Sequence, residues 1–98
     1  MLKDLGWEVD ETPMEFMEVQ IPEEFDEVYS EYNDIQLKQG MDLKKYAGKR
    51  AMRYCYQVNN YPSGEKNVVA NLLIYKNKLI GGDISSTQMN GFMHGLQG

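Results

Sequence analysis

The residues best suited to chemistry are the single histidine and an aspartate that follows two glycines. Histidine is the residue type that ordinarily changes charge near neutral pH, and His94 is the only one in the chain. A small hydrolase or isomerase would need His94 and Asp83 to meet in a concave pocket. The sequence places no Ser or Cys at a nucleophile elbow or a helix start, which favours a structural or surface role for His94.

Metal and cofactor chemistry lacks a suitable set of residues. With one cysteine, Cys55, and one histidine, His94, the chain has no Cys/His zinc site and no internal disulfide. Glu27, Glu31 and Asp34 share one side of a predicted helix, but a straight helix cannot wrap a cation, and EF-hand spacing is missing. We therefore expect no metal, no cofactor and no catalytic residues.

One group of loop residues stands out as a candidate binding site. Strand ends and the turns beside them leave backbone groups without ladder partners, and binding residues concentrate on such loops. If the tail folds back across the glycines, His94 would approach Asp83 and a tyrosine hydroxyl, as a polar latch that holds the tail or as a ligand site. The latch is favoured, with Asp83 expected to pin the tail through backbone N–H groups. The candidate residues are Asn59, Tyr61, Gly82, Asp83 and His94.

Composition limits the classes of partner. The chain has 98 residues, 42% of them hydrophobic, and no apolar run long enough to span a membrane, so we expect a single domain. Its formal net charge is −5 at pH 7. Two bases and twelve acids lie in residues 1–40, against eight bases and three acids in residues 41–98. This balance argues against nucleic-acid binding and against direct contact with an anionic membrane.

The segment IPEEFDEVYSEYNDIQLKQG is typical of an amphipathic helix. Pro22 suits the first helical position, and Gly40 suits the residue after the last turn. Leu37 falls on the polar side and is the one mismatch. The apolar face follows the i, i+3, i+4, i+7 spacing and consists of Phe25, Val28, Tyr29, Tyr32 and Ile35.

The remaining pattern predicts strands. One strand is expected over residues 7–21, with Pro13 at a break or edge position, and a second in RAMRYCYQV. A hairpin is expected in VVANLLIYKNKLIGGDI, whose glycines indicate a bulge or a close backbone approach. The fold class is α+β, with one amphipathic helix packed on a four-stranded, mainly antiparallel sheet in β-α-β-β-β order. We expect the helix to pack on one sheet face formed by Met52, Tyr54, Tyr56, Val68, Ala70 and Leu72.

Several phrases resemble a known family: IPEEFDEVYSEYNDIQLKQGMDLKKYAGK, YQVNNYPSG, ANLLIYKNKLIGGDISS and GFMHGL. They resemble the bacterial domain-of-unknown-function family numbered 4830, found chiefly in Firmicutes. The resemblance implies a short N-terminal membrane segment followed by this domain outside the membrane. Residues 1–98 would then be a single α+β domain, the extracytoplasmic part of a longer protein. It assigns no catalytic residues.

These observations favour a non-catalytic, extracytoplasmic binding or protein-interaction module whose partner is an unknown protein or small ligand. Two alternatives stay open. The first is a hydrolase or isomerase that uses His94 with Asp83. The second is a structural spacer or homodimerisation domain, suggested by the exposed Leu37 and by the uneven charge.

Overall fold

The computed structural model describes Leu2, residues 5–88 and residues 91–96. The helix is α1 (Glu27–Lys38), and a short 3₁₀ helix follows it at Leu43–Tyr46. The strands are β1 (Glu15–Gln20), β2 (Arg50–Gln57), β3 (Val68–Tyr75), β4 (Lys78–Ser86) and β5 (Met93–His94). They form one antiparallel sheet in the order β1-β2-β3-β4-β5. The predicted α+β class is confirmed, with five strands in place of four.

The helix begins later than its sequence suggests. The Asp26 side chain accepts a hydrogen bond from the Tyr29 backbone N–H at 2.7 Å and so caps the first turn. Pro22 therefore precedes the helix and does not open it. The end of the helix is as predicted, because Gly40 adopts a φ of +80°, a left-handed conformation that glycine reaches without strain.

The predicted hairpin joins β3 and β4 through a two-residue turn. Lys76 and Asn77 have φ values of 48° and 66°, as a turn that matches the twist of the strands requires. Beyond the turn the register shifts, since Leu73 pairs with Gly81 whereas the next residue, Ile74, pairs with Leu79. This bulge lies directly before the two glycines, where the sequence indicated one.

Both faces of the sheet carry a hydrophobic core. One face buries Val58, Val68, Ala70, Leu72 and Ile84 together with Leu2 and Leu96. The other face buries Ile21, Leu43, Ala51, Leu73 and Ile80. Alternate residues of β3 thus enter different cores, and the strand is apolar along most of its length because it is covered on both sides.

The predicted packing of the helix on Met52, Tyr54, Tyr56, Val68, Ala70 and Leu72 is wrong. Phe25, Tyr29 and Tyr32 pack with the opposite core, which contains Leu73 and Ile80. The chain enters and leaves the helix through Ile21 and Leu43, which are both fully buried in that core. The N-terminal segment and the tail cover the expected face instead. Val28, predicted to be buried, is 74% exposed, and Ile35 is half-buried.

Two glutamines from the end of the helix bind the free edge of β4. Continuing the pairing of β4 with β5 would place Leu96 opposite Gly82, but side-chain amides lie there instead. Gln36 Oε1 accepts from the Gly82 N–H at 2.8 Å, and Gln39 Nε2 donates to the Gly82 carbonyl at 3.1 Å. Gln39 Oε1 accepts from the Leu96 N–H at 2.6 Å. We call these contacts of Gln36, Gln39, Gly82 and Leu96 the glutamine clamp.

Close contacts with the clamp and with the backbone of β3 explain why glycines occupy this part of β4. A Cβ atom at Gly81 would lie 3.2 Å from Gln36 Oε1, and one at Gly82 would lie 2.6 Å from the Asn71 carbonyl oxygen. The close approach that the sequence indicated is confirmed. Among the residues described, no helix has the length and apolarity that crossing a bilayer demands.

Gln36→Ala should lower the free energy of unfolding by about 1–3 kcal/mol, because the buried Gly82 N–H would lose its acceptor. Urea denaturation followed by circular dichroism measures the change. Leu37→Ala is the matched control, since Leu37 is the next helical residue and is 52% exposed. Equal stability of the two variants would contradict the role of the clamp.

Candidate functional site

The sheet separates the predicted site residues into two groups. His94 pairs with Ile84 across β4 and β5, so their side chains share one face. Asp83 precedes Ile84 and therefore points to the other face. The predicted approach of His94 to Asp83 is wrong, because side chains alternate along a strand. The two residues do not form a joint site.

Asp83 is buried, with 2% of its surface exposed, on the face that α1 covers. Its Oδ2 accepts a hydrogen bond from the Tyr32 hydroxyl at 2.7 Å, and its Oδ1 accepts one from Asn71 Nδ2 at 3.2 Å. The predicted pinning of the tail by backbone N–H groups is wrong, since both of these donors are side chains. Asp83 instead links the helix to the centre of the sheet.

His94 contacts the predicted tyrosine hydroxyl from the opposite face. Its Nε2 lies 2.8 Å from the Tyr61 hydroxyl, and its Nδ1 lies 2.7 Å from the Gly95 carbonyl oxygen. A carbonyl oxygen only accepts, so in the neutral ring Nδ1 donates to Gly95 and Nε2 accepts from Tyr61. Both ring nitrogens thus have partners.

Stacked rings surround this hydrogen bond. Phe92 stacks on Tyr61 at a centroid distance of 4.8 Å and on His94 at 5.5 Å. Trp7 stacks on Tyr61 at 5.7 Å, and its indole N–H donates to the Leu96 carbonyl. We call Trp7, Tyr61, Phe92 and His94 the aromatic latch, because these contacts hold the tail against the N-terminal segment.

Of the remaining predicted residues, Asn59 shares a groove with Tyr61, and Gly82 belongs to the glutamine clamp. Asn59 is exposed and donates through Nδ2 to Asp10 Oδ1 at 2.9 Å. It lines an open groove of about 300 Å³ with Tyr61 and Lys66. Gly82 serves the glutamine clamp through its backbone.

A cleft between α1 and the sheet is the more promising site. It has a volume of about 260 Å³ and extends from Val19 on β1 to Met93 on β5. We call it the sheet cleft; its polar and aromatic lining includes Tyr29, Tyr32, Arg53, Asn71 and Asp83. Sequence reasoning missed Arg53 and Asn71. One feature of the sequence could have indicated this site: Asn71 is a polar amide in the otherwise apolar strand VVANLLIY.

A second depression adjoins the sheet cleft at Tyr29, Tyr32 and Met93. Its volume is about 450 Å³, and apart from Glu31 its lining is apolar or aromatic. It runs beside the helix past Val28 and Ile35. We call it the helix groove. Together the two depressions offer polar groups at one end and apolar surface at the other.

Arg53 is the cation of the sheet cleft. Its Nη2 donates to Glu15 Oε1 at 2.7 Å and lies 3.7 Å from the Met17 sulfur. Its Nε is buried and has no hydrogen-bond acceptor among the described residues. A guanidinium carries five N–H groups, so Arg53 retains donors that the described part of the protein does not use.

Burial changes the proton affinity of three side chains near the cleft. Burial raises the pKa of Tyr32 far above its usual value. The negative charge of Asp83 and the hydrogen bond to it raise this pKa further. Burial also raises the pKa of Tyr29 and that of the Cys55 thiol. At neutral pH these groups are protonated, and Cys55 therefore lacks the thiolate that a cysteine nucleophile needs.

No three His, Cys, Asp or Glu residues within the described ranges lie close enough together to hold a metal ion.

A family model described as "Domain of unknown function (DUF4830)" matches residues 1–84. The chain belongs to this family. The matched stretch of this DUF4830 domain includes Gln36, Arg53, Gly82 and Asp83, whereas His94 lies beyond it. Comparisons with curated proteins and with solved structures found no match.

His94→Ala should lower the free energy of unfolding by about 1–2 kcal/mol, because it removes the Tyr61 hydrogen bond and the stacking on Phe92. Hydrogen exchange should accelerate at the Ser86 amide, which donates to the Phe92 carbonyl. Gln88→Ala, at an exposed residue, is the control. Unchanged exchange at Ser86 would show that the latch does not hold the tail.

Tyr32→Phe should be less stable than the wild type at pH 8, and the difference should shrink above about pH 10. The unfolded chain ionises Tyr32 near pH 10, whereas the raised pKa keeps the folded residue protonated. Wild-type stability therefore falls as pH rises, by up to about 1.4 kcal/mol per pH unit from this residue. Urea denaturation of both proteins at pH 8 and pH 11 measures the difference in their free energies of unfolding.

Tyr56→Phe serves as the control for this series, since Tyr56 packs against the core on the opposite face of the sheet from Tyr32. A Tyr32→Phe variant with the same pH dependence as the wild type would contradict the buried contact with Asp83.

Proposed function

We propose that this domain is a non-catalytic binding module and that the sheet cleft, with the helix groove, is its binding site. The observation that carries this proposal is Arg53. Arg53 lines the cleft, its guanidinium makes its hydrogen bonds with the described residues through Nη2, and its buried Nε has no acceptor among them. A buried donor without a partner costs free energy, which a ligand oxygen would recover.

The size and lining of the two depressions support this proposal. Ligand sites are typically concave, mostly apolar, and supplied with a few polar groups that fix orientation. The sheet cleft and the helix groove share Tyr29, Tyr32 and Met93, so one ligand can occupy both. Arg53 supplies the orienting polar group, and Val28 and Met93 supply apolar surface.

The absence of catalysis is part of the proposal, and the arrangement of the reactive groups supports it. Asp83 accepts hydrogen bonds from Tyr32 and Asn71, and His94 lies on the other face of the sheet. Burial keeps the Cys55 thiol protonated. These residues lack the nucleophile-base contact that acyl or proton transfer requires.

We also propose that the domain lies outside the membrane as part of a longer protein, on the basis of the family resemblance. A protease added to intact cells should cleave an epitope-tagged full-length protein within this domain. Protection until the cells are lysed would contradict this location.

Arg53→Met should abolish ligand-induced shifts in the sheet cleft while leaving the fold intact. The test is an NMR screen of ¹⁵N-labelled protein against a fragment library of amides, amines and carboxylates. Fragments should shift the resonances of Tyr29, Arg53 and Asp83 in the wild type. If no fragment shifts these resonances, or if all shifts lie at the aromatic latch, the proposed site is wrong.

Arg50→Met is the matched control for Arg53→Met. Arg50 lies on the same strand and pairs with Glu18 of β1 at 3.1 Å, much as Arg53 pairs with Glu15, but it does not line the cleft. Fragment binding should survive in Arg50→Met. Equal loss in both variants would assign the effect to the strand rather than to the cleft.

A further inference from the structure

We propose that the occupant of the sheet cleft and helix groove is an extended peptide segment of neutral or positive charge, with one backbone carbonyl bound by Arg53. This inference rests on the proposed function and names the ligand class. Three features support it: the charge of the two depressions, their shape and the position of their apolar surface.

The charge of the site disfavours an anion. Arg53 is the one basic side chain among the residues that line the sheet cleft, whereas Asp83 also lines it and Glu15 accepts a hydrogen bond from Arg53. Glu31 adds a further carboxylate in the helix groove. An incoming carboxylate or phosphate would therefore meet more negative than positive charge. A peptide carbonyl offers the oxygen that Arg53 can bind without adding negative charge.

The shape of the site fits an extended chain. The sheet cleft reaches from β1 to β5 across the strands, a distance of about 19 Å at about 4.8 Å between neighbouring strands. An extended segment of about six residues spans this length.

The apolar surface lies where a peptide side chain would reach it. Val28 is 74% exposed and Met93 is 50% exposed, and both line the helix groove next to the sheet cleft. An aliphatic side chain would remove part of this surface from water, which stabilises the complex. A neighbouring basic side chain would lie near Glu31. The predicted occupant thus combines an aliphatic residue with a neutral or basic one.

Three blocked hexapeptides test this inference: acetyl-Ala-Ala-Leu-Lys-Ala-Ala-amide and the same peptide with Gln or Glu in place of Lys. Titration is followed through the backbone amides and the Arg53 Nε–H resonance of the ¹⁵N-labelled protein. The Lys and Gln peptides should bind about tenfold more tightly than the Glu peptide. Arg53→Met should weaken the Gln peptide about tenfold, and Arg50→Met should leave it unchanged.

A charge variant makes the test more specific. Glu31→Gln should reduce the preference for the Lys peptide over the Glu peptide, since Glu31 lines the helix groove. Glu27→Gln is the control, because Glu27 lies on the same helix, is exposed and does not line the groove. An unchanged preference in Glu31→Gln would overturn the placement of the basic residue.

The outcomes separate this inference from the proposed function. Tightest binding by the Glu peptide overturns the charge preference and leaves the cleft as a binding site. If other fragments shift the cleft resonances and none of the three peptides does, only the peptide class is overturned. If neither a peptide nor a fragment shifts the cleft resonances, both the peptide class and the proposed binding site are overturned.

Discussion

The hydrogen bonds around the Gly82 peptide group connect the helix, the sheet and the tail. β5 is only two residues long and pairs with Ile84 and Ser85, so the edge of β4 is left open at Gly82. Gln36 and Gln39 complete that edge with side-chain amides in place of a strand, and Gln39 also binds Leu96. Leaving such buried groups unpaired would be costly, which makes the position of α1 over β4 well defined. The sheet cleft exists because the helix is held at this place.

The alternation of side chains along β4 then divides the molecule into two sites with different roles. Asp83 joins Tyr32 and Asn71 beneath the helix, while Ile84 enters the core that the tail closes. His94 pairs with Ile84 on the same face and supports the tail through Tyr61. The aromatic latch thus holds the tail, whereas the sheet cleft is lined by Arg53, whose buried Nε has no hydrogen-bond acceptor among the described residues. The residues that stabilise the tail are therefore distinct from those that are proposed to bind a ligand.

The sequence was sufficient for most features that local chemistry decides, although the Asp26 cap moves the start of the helix beyond Pro22. Gly40 ends the helix, the KNK turn makes the hairpin, and the two glycines mark both a bulge and a close approach. It was insufficient where elements far apart in the chain compete. Either face of β3 is apolar enough to receive α1, and the choice depends on the buried anchors at Ile21 and Leu43 and on the tail. The candidate site could not be predicted for the same reason. Arg53, Asn71 and Asp83 lie on three different strands, and only the strand register brings them together.

Hydrogen exchange at the Gly82 amide tests most directly whether the clamp fixes the helix over the sheet and so forms the cleft in advance of any ligand. The Gly82 N–H bonds to Gln36 Oε1 at 2.8 Å and has no strand partner at that edge. The account predicts that this amide exchanges as slowly as the core amides of β3, through global unfolding. Rapid exchange at Gly82, at the rate of a frayed strand edge, would show that the helix leaves the sheet and would contradict a preformed cleft.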